Sequence, residues 1–310
     1  MIPKVGIVGL GKMGQNHARV LSQMDSLQFV GFYDPIPRSD TLPNHFFSSI
    51  EELIAKIDYL VIASTTSSHV ENALFAASHG IPCLIEKPLA GSYEDAERIR
   101  IAFEASNTPA AVGMVERFNI AASTAKALLS RGEIGDLQHI STNREGPFTG
   151  RITDVGVGLD LATHDLDLIQ WITGESIIST SLERKSLHGG VEDFLVAIGK
   201  TGAQFSFSSF VNWRSPVKNR GIRVYGELGV VEINLMEMTI RVEKLGNKTV
   251  AWEGMKQRFG EAVGDSLLLG LEKQEPLLLQ HSAFREFFIT GQRSDLCSLE
   301  EASSIISLLE

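Results

Sequence analysis

Apolar runs alternate with amphipathic segments through the N-terminal part of the chain. Short apolar runs predict strands at 4–8, 27–33, 59–63, 81–85 and 109–114. Apolar residues at helical spacing predict helices over 12–24, 50–56, 69–79, 93–106 and 120–131. Because strands that alternate with helices are typical of a parallel sheet, this part is predicted to be a parallel α/β domain.

Beyond residue 136 the pattern changes to a period of two. In one run Phe205, Phe207, Val211 and Trp213 fall on one face, with serine and asparagine on the other. Strands are predicted at 137–144, 177–186, 192–200, 203–213, 220–226, 230–235 and 239–244, and helices at 159–173, 276–290 and 298–310. Short connections between the strands favour a predominantly antiparallel sheet.

Two domains follow from this change of pattern. The first is predicted to span residues 1–118, and the second, an open-faced sheet domain, residues 119–310. The last helix, 298–310, could pack back on the first domain. A chain of 310 residues is long enough for two such domains.

Composition excludes several classes of protein. With 43% hydrophobic and 21% charged residues the chain is typical of a soluble globular protein. Its formal net charge of −10 argues against non-specific binding to nucleic acid or to an anionic membrane. We expect no signal peptide and no membrane span. Cys83 and Cys297 could pair, but two reduced thiols in a cytoplasmic protein are the favoured interpretation.

A glycine-rich loop joins the first predicted strand to the first predicted helix. Residues 9–14 read Gly-Leu-Gly-Lys-Met-Gly, which matches G-x-G-x-x-G in the context that dinucleotide binding requires. Gly9 permits a tight turn, Gly11 lets a pyrophosphate approach the backbone, and Gly14 lets the helix pack closely. A glycine-rich turn without a ligand is the alternative. The loop predicts a Rossmann domain.

An acidic residue, Asp34, ends the second predicted strand. A carboxylate there can accept hydrogen bonds from the adenosine ribose hydroxyls and would repel a 2′-phosphate, which favours NAD over NADP. Arg38 could offset part of that repulsion. We therefore expect NAD as the cofactor, with NADP as the less favoured possibility.

A lysine follows the fourth predicted strand, in the sequence Glu86-Lys87-Pro88. Ligands bind beyond the carboxyl ends of the strands in an open parallel sheet, so Lys87 should point toward the nicotinamide end of the cofactor. Pro88 disfavours a helical conformation at Lys87. By position alone, a surface Lys–Glu pair beside a loop proline is equally compatible.

Three polar residues share one face of the predicted helix 159–173. Asp160 and His164 are four residues apart, and Asp167 follows His164 by three. A carboxylate one turn from an imidazole suits proton transfer near neutral pH. A solvated face or a buried polar cluster would show the same pattern. No metal is predicted, because no second His or Cys motif supplies further ligands.

Taken together, these motifs resemble the Gfo/Idh/MocA oxidoreductases. The resemblance rests on residues 9–14, Ser-Thr-Thr-Ser-Ser-His at 64–69, Glu86-Lys87-Pro88, Gly-Met-Val-Glu-Arg-Phe-Asn at 113–119, and Asp160, His164 and Asp167. It implies a Rossmann domain followed by a sheet domain that holds a sugar and supports a homodimer or homotetramer. It also implies that Lys87, Asp160 and His164 are catalytic. Ile120, where many members carry proline, is a departure that we expect to alter a turn only.

Three further segments resemble the branch of the family that contains UDP-N-acetylglucosamine 3-dehydrogenases. They are Arg-Glu-Gly-Pro at 144–147, Arg-Ile-Thr-Asp-Val-Gly-Val at 151–157 and Asn-Trp-Arg-Ser-Pro-Val-Lys at 212–218. Arg144, Arg151, Arg214 and Lys218 could supply a basic patch for a diphosphate, or they could be scattered surface cations.

Two sets of binding residues are therefore expected. The cofactor site should comprise Gly9, Gly11, Lys12, Met13, Gly14, Asp34, Thr65, His69, Glu86 and Lys87. The substrate site should comprise Arg117, Asn119, Arg144, Arg151, Asp154, Asp167 and Lys218.

The expected reaction is oxidation of a sugar hydroxyl to a ketone, on a nucleotide sugar such as UDP-N-acetylglucosamine. His164 or Lys87 takes the hydroxyl proton and Asp160 orients His164, while the cofactor supplies the redox chemistry. A dehydrogenase of a free sugar or inositol is the alternative within the class. A non-catalytic NAD-binding regulator is the alternative outside it.

Overall fold

The computed structural model describes residues 2–36, 45–148, 150, 155–187, 190–246 and 263–310. Backbone contacts divide the chain into two compact units. The first unit comprises Met1–Phe118, Thr149–Asp167 and Gln274–Glu310, and the second comprises Asn119–Phe148 and Leu168–Lys273. One division falls between 118 and 119, and 149–167 and the C-terminal helices group with the first unit. The domain boundaries 1–118 and 119–310 stay a prediction.

A five-stranded parallel sheet forms the centre of the first unit. In spatial order its strands are β2 (Gln28–Tyr33), β1 (Lys4–Val8), β3 (Tyr59–Ile62), β4 (Cys83–Glu86) and β5 (Ala110–Gly113). The helices between them are α1 (Lys12–Leu21), α2 (Ile50–Ile54), α3 (Thr66–Ser78) and α4 (Tyr93–Ala105). Since β2 and β3 lie on opposite sides of β1, a crevice forms at the carboxyl end of β1, where doubly wound sheets bind ligands.

The second unit is built on an eight-stranded sheet. Its strands are β6 (Leu137–Pro147), β7 (Ile177–Lys185), β8 (Phe194–Thr201), β9 (Ser206–Asn212), β10 (Arg214–Gly226), β11 (Gly229–Asn234), β12 (Thr239–Leu245) and β13 (Val263–Leu269). The spatial order is β13-β12-β11-β10-β6-β9-β8-β7, and every neighbouring pair is antiparallel except β6 with β9. Helix α5 (Ile120–Ser130) packs on β11 and β12, and helix α6 (Thr163–Thr173) runs across the division between the units.

Strand alternation sets the two faces of this sheet. Ile222 and Val224 of β10 lie opposite Thr142 and Ile140 of β6, and all four are buried. Arg223, between them, lies on the other face and is exposed. The predicted fold class, a parallel Rossmann sheet followed by a mainly antiparallel open-faced sheet, is confirmed.

Two differences from the predicted strands have local causes. Strand β13 was not predicted, because its sequence, Val-Gly-Asp-Ser-Leu-Leu-Leu, does not alternate. Strand β10 begins at Arg214 instead of residue 220. The stretch 214–219 is polar and contains a proline, so it lacks the alternation that predicts a strand. In the structure, the pairing of β10 with β6 shifts register between Arg214 and Asn219.

Two C-terminal helices complete the first unit. Helix α7 (Pro276–Thr290) packs on α1 and on the 3₁₀ turn Val115–Phe118, and helix α8 (Leu299–Ser307) packs on α4 and β5. Ser298 and Glu301 form the capping box that begins α8, because each side chain accepts the other's backbone N–H.

Two observations concern the helices and the cysteines of the described residues. None of the helices among the described residues is both long and apolar enough to cross a bilayer. Cys83 and Cys297 are free thiols, and both are buried.

Candidate active site

The glycine loop fits closely against the protein on two sides and is open on a third. Gly9 has a φ of +93°, and a Cβ there would lie 2.5 Å from the backbone nitrogen of Ser64. A Cβ on Gly14 would lie 2.0 Å from the carbonyl oxygen of Gly9. A Cβ on Gly11 would meet nothing within 4 Å. Packing therefore requires glycine at 9 and 14, whereas Gly11 leaves the backbone open to a ligand.

Helix α1 begins directly after this open position. Its N-cap, Gly11, offers no side-chain acceptor, and its first turn contains no acidic residue. The first backbone N–H groups of a helix favour an anion when no side chain caps them. At this end of α1, Lys12 is exposed and Met13 packs partly against the core. An open backbone and an uncapped ten-residue helix fit the pyrophosphate of a dinucleotide.

Asp34 lies beside the glycine loop. Its Oδ2 accepts a hydrogen bond from the backbone N–H of Leu10 at 2.6 Å, and its Oδ1 accepts one from Ile36 at 2.9 Å. These bonds fix the carboxylate at the end of β2. Each carboxylate oxygen can accept more than one hydrogen bond, so both can also accept from a ribose hydroxyl. Arg38 lies outside the described residues.

His69 connects the loops that follow β3 and β4. Its Nδ1 lies 2.9 Å from the carbonyl oxygen of Pro88, and its Nε2 lies 3.2 Å from that of Ser64. Burial lowers the pKa of His69, although both carbonyls favour its charged form. The ring is buried, whereas Thr65, the N-cap of α3, is exposed. That these two residues contact the cofactor stays a prediction.

Lys87 and Asp160 form an ion pair at the carboxyl end of β4. The Nζ of Lys87 donates to Oδ1 of Asp160 and to its main-chain oxygen, both at 2.8 Å. Asp160 belongs to a π-helical turn, Gly158–Ala162, that leads into α6. Helix 159–173 was predicted as regular, but it begins with this wider turn, a feature that is frequent at functional sites. The sequence predicted that Asp160 orients His164, and the structure adds its direct bond to Lys87.

Glu86 points into the protein, with only 6% of its side chain exposed. Its Oε1 lies 2.9 Å from Nε2 of His17, and its Oε2 accepts the backbone N–H of Lys87 at 3.3 Å. The other ring nitrogen of His17 lies 2.9 Å from Nε2 of His281 on α7. His17 and His281 were not predicted from the sequence as residues near the site. The sequence feature that could have indicated them is that each is a histidine at a helical position where apolar residues are expected.

The three polar residues of the predicted helix face have different surroundings. His164 is half-buried in the first turn of α6. Asp167 is buried against Arg117, whose Nη2 lies 2.6 Å from Oδ1 of Asp167 and whose Nε donates to both carboxylate oxygens. Glu301 adds a second carboxylate 3.3 Å from the same Nη2. That Arg117 and Asp167 bind substrate stays a prediction, and the structure assigns them a buried ion pair.

The remaining predicted substrate residues lie mainly in the second unit. Asn119 caps α5 by accepting the N–H of Ala121, and it donates to the carbonyl of Leu235. Arg144 is only 2% exposed, whereas Lys218 on β10 is exposed. The two others, Arg151 and Asp154, lie outside the described residues. Arg144 is therefore an interior residue of this unit, and its predicted role in binding a diphosphate stays a prediction.

The fold and the loop geometry define a dinucleotide-binding protein. Residues 3–114 match the model of an oxidoreductase family with an NAD-binding Rossmann fold, and residues 122–232 match the GFO/IDH/MocA C-terminal domain. The chain belongs to the Gfo/Idh/MocA family of oxidoreductases. The resemblance inferred from the motifs is thereby confirmed at the level of the family.

Individual relatives differ in what they act on. The chain is 29% identical to UDP-N-acetylglucosamine 3-dehydrogenase of Acidithiobacillus ferrooxidans over 176 residues, which cover 55% of this chain and 54% of the relative. It is 27% identical to inositol 2-dehydrogenase 2 of Saccharopolyspora erythraea over 287 residues, 86% of this chain and 84% of the relative. The solved structure of the Acidithiobacillus enzyme shares the fold, with a TM-score of 0.83 at 20% identity over 98% of this chain and 94% of that one.

Proposed function

We propose that the protein oxidises a secondary hydroxyl of a sugar to a ketone with NAD as the hydride acceptor. The observation that carries the proposal is the Lys87–Asp160 ion pair at the carboxyl end of β4. It lies at the sheet edge where β1 ends in the glycine loop. NAD, when bound, supplies the redox chemistry, and the loop, the start of α1 and Asp34 are the groups that would hold it.

The ion pair leaves Lys87 equipped to act on an oxygen atom. An ammonium group has three N–H donors, and Asp160 accepts two of them through its side chain and its main chain. The third can donate to the sugar oxygen and stabilise negative charge as the hydroxyl loses its proton. His164 is the candidate base for that proton. Lys87 is the alternative base only as a neutral amine, which then donates two N–H groups instead of three.

A nucleotide sugar such as UDP-N-acetylglucosamine is the substrate class that we propose. The relative from Acidithiobacillus and the exposed Arg214 and Lys218 at the start of β10 support it, since cations there suit a diphosphate. A free sugar or inositol is the second candidate, favoured by the longer match to an inositol dehydrogenase and by the burial of Arg144.

A thermal-shift screen separates these candidates. A ligand that binds the folded state raises the melting temperature by mass action. We expect a rise with NAD and a further rise when UDP or UDP-N-acetylglucosamine is added, but none with glucose or myo-inositol. A further rise with inositol or glucose alone would exclude the nucleotide sugar. No response of cofactor-free protein to either dinucleotide would contradict the proposed function itself.

The preference for NAD is expected to depend on the charge of Asp34. Asp34→Asn keeps the size of the side chain and removes the charge that would repel a 2′-phosphate. We expect the ratio of the NADP and NAD dissociation constants, measured by titration calorimetry, to fall by about tenfold or more. Asp58→Asn is the matched control, because Asp58 also accepts a backbone N–H but takes it from Lys4, at the end of β1 opposite the glycine loop. An unchanged ratio in Asp34→Asn would exclude this role.

Two further expectations stay predictions. One is a homodimer or homotetramer formed through the open face of the eight-stranded sheet. That face holds a polar cavity of about 580 Å³, whose lining includes Ser141, Asn143, Arg223, Glu232 and Arg241. The other is that the protein is cytoplasmic.

A further inference from the structure

We propose that His17 is a positioning residue for Lys87: through Glu86 it fixes the main chain from which the catalytic lysine projects, and His281 fixes His17 in turn. This inference rests on the proposed role of Lys87. It assigns a task to three buried polar groups that the reaction itself does not use.

The three side chains form a continuous chain of contacts. His281 Nε2 lies 2.9 Å from His17 Nδ1, and His17 Nε2 lies 2.9 Å from Glu86 Oε1. The second carboxylate oxygen of Glu86 accepts the backbone N–H of Lys87. The three groups come from α7, α1 and β4. Their contacts therefore join α1, which follows the glycine loop, and α7 to the residue that precedes Lys87.

Each hydrogen bond between His281, His17 and Glu86 can be assigned one donor and one acceptor. Burial, together with the neighbouring His17 ring, lowers the pKa of His281 well below its usual value, so His281 is neutral and carries one N–H. If that N–H is on Nε2, it donates to Nδ1 of His17, and His17 then donates from Nε2 to Glu86. Each donor meets an acceptor, and the carboxylate keeps its other oxygen for the amide of Lys87.

The surrounding backbone makes room for Glu86. A Cβ on Gly113 of β5 would lie 2.7 Å from Oε1 of Glu86, so any larger residue there would displace the carboxylate. The space beside Oε1 of Glu86 is therefore open because Gly113 has no side chain. The same carboxylate oxygen faces His17, which restricts the rotation of Glu86.

Buried polar atoms at and beside His281 argue against a purely stabilising role for the contacts of His281, His17 and Glu86. His281 Nδ1 and both polar atoms of Gln280 are buried and have no hydrogen-bond partner in the part of the chain that the structure describes. A buried polar atom without a partner destabilises the folded state, and apolar side chains would avoid that cost. A role in fixing Glu86 gives a reason for keeping His281 at this position.

Amide hydrogen exchange tests this inference without a substrate. The chosen variants are His17→Gln, whose amide nitrogen can replace Nε2 as the donor to Glu86, and His17→Met, which has no donor. Gln280→Met is the matched control, equally buried on α7 but outside the chain of contacts. In cofactor-free protein we expect peptides that contain Lys87 to exchange about tenfold faster in His17→Met only. His17→Asn, whose shorter amide cannot reach Glu86, replaces His17→Met if that variant does not fold.

Steady-state kinetics supply the second measurement. We expect His17→Met to lower kcat by about tenfold or more with little change in KM, since a small misplacement of a reacting group is costly. His17→Gln should recover most of kcat. Unchanged exchange in His17→Met, or the same increase in His17→Gln or Gln280→Met as in His17→Met, would overturn the inference. A wild-type protein that oxidises no sugar would contradict the proposed function instead, and the exchange comparison would still decide the role of His17.

Discussion

Replacing Lys87 by methionine is expected to lower kcat by at least about 100-fold, the usual size of the effect when an acid–base group is removed. Methionine has a similar length but cannot donate a hydrogen bond, so the sugar oxygen loses the third N–H and Asp160 loses its hydrogen bond from Lys87. The glycine loop and Asp34 are unchanged. Because Lys87 is only one of the expected cofactor contacts, binding of NAD, measured by titration calorimetry, should weaken far less than kcat falls.

Lys56→Met is the control for this experiment, because Lys56 is an exposed lysine of the same unit. It should leave both kcat and NAD binding unchanged. Asp160→Asn should also lower kcat, since an amide holds the ammonium less strongly than a carboxylate does. Near-normal turnover in Lys87→Met would exclude Lys87 as a catalytic residue.

Replacing Arg117 by methionine is expected to lower the free energy of unfolding by about 3–5 kcal/mol, because it leaves the carboxylate of Asp167 buried without its cation. The side chains of Arg117 and Asp167 are only 3% and 1% exposed. Urea denaturation monitored by fluorescence measures this change in the free energy of unfolding.

An exposed pair of the same residue types gives the comparison. Arg98 and Asp95 lie 2.6 Å apart with side chains 54% and 37% exposed, so Arg98→Met should cost less than about 1 kcal/mol. The double variant Arg117→Met with Asp167→Leu should recover part of the loss, since it removes both buried charges. If Arg117→Met instead raised KM without a loss of stability, the pair would bind substrate, as the sequence analysis expected.

The fold could be predicted from local patterns. The alternation of apolar runs with helical spacing predicts the parallel sheet, and the period-two pattern predicts the second sheet. Strand β13 was missed because three consecutive leucines carry no alternation. The π-helical turn around Asp160 was missed because periodicity cannot distinguish it from the first turn of an α-helix.

The site could be predicted only where sequence position fixes geometry. Gly9 and Lys87 follow strands of a parallel sheet, so their edge of the sheet was known in advance. The contacts of His17 with Glu86 and His281 join residues that are 69 and 264 positions apart. Such contacts depend on how helices pack, which the chemistry of the local sequence does not determine.

The stoichiometry of oxidation tests directly whether the protein is a sugar dehydrogenase. Purified protein is incubated with NAD and, in turn, UDP-N-acetylglucosamine, glucose and myo-inositol, while NADH is measured by absorbance and the ketone by mass spectrometry. We expect equal amounts of NADH and ketone from one of these compounds with the wild-type protein, and formation of both to be at least about 100-fold slower with Lys87→Met. A wild-type protein that binds NAD but forms no NADH with any of them would contradict the account and favour a non-catalytic NAD-binding protein.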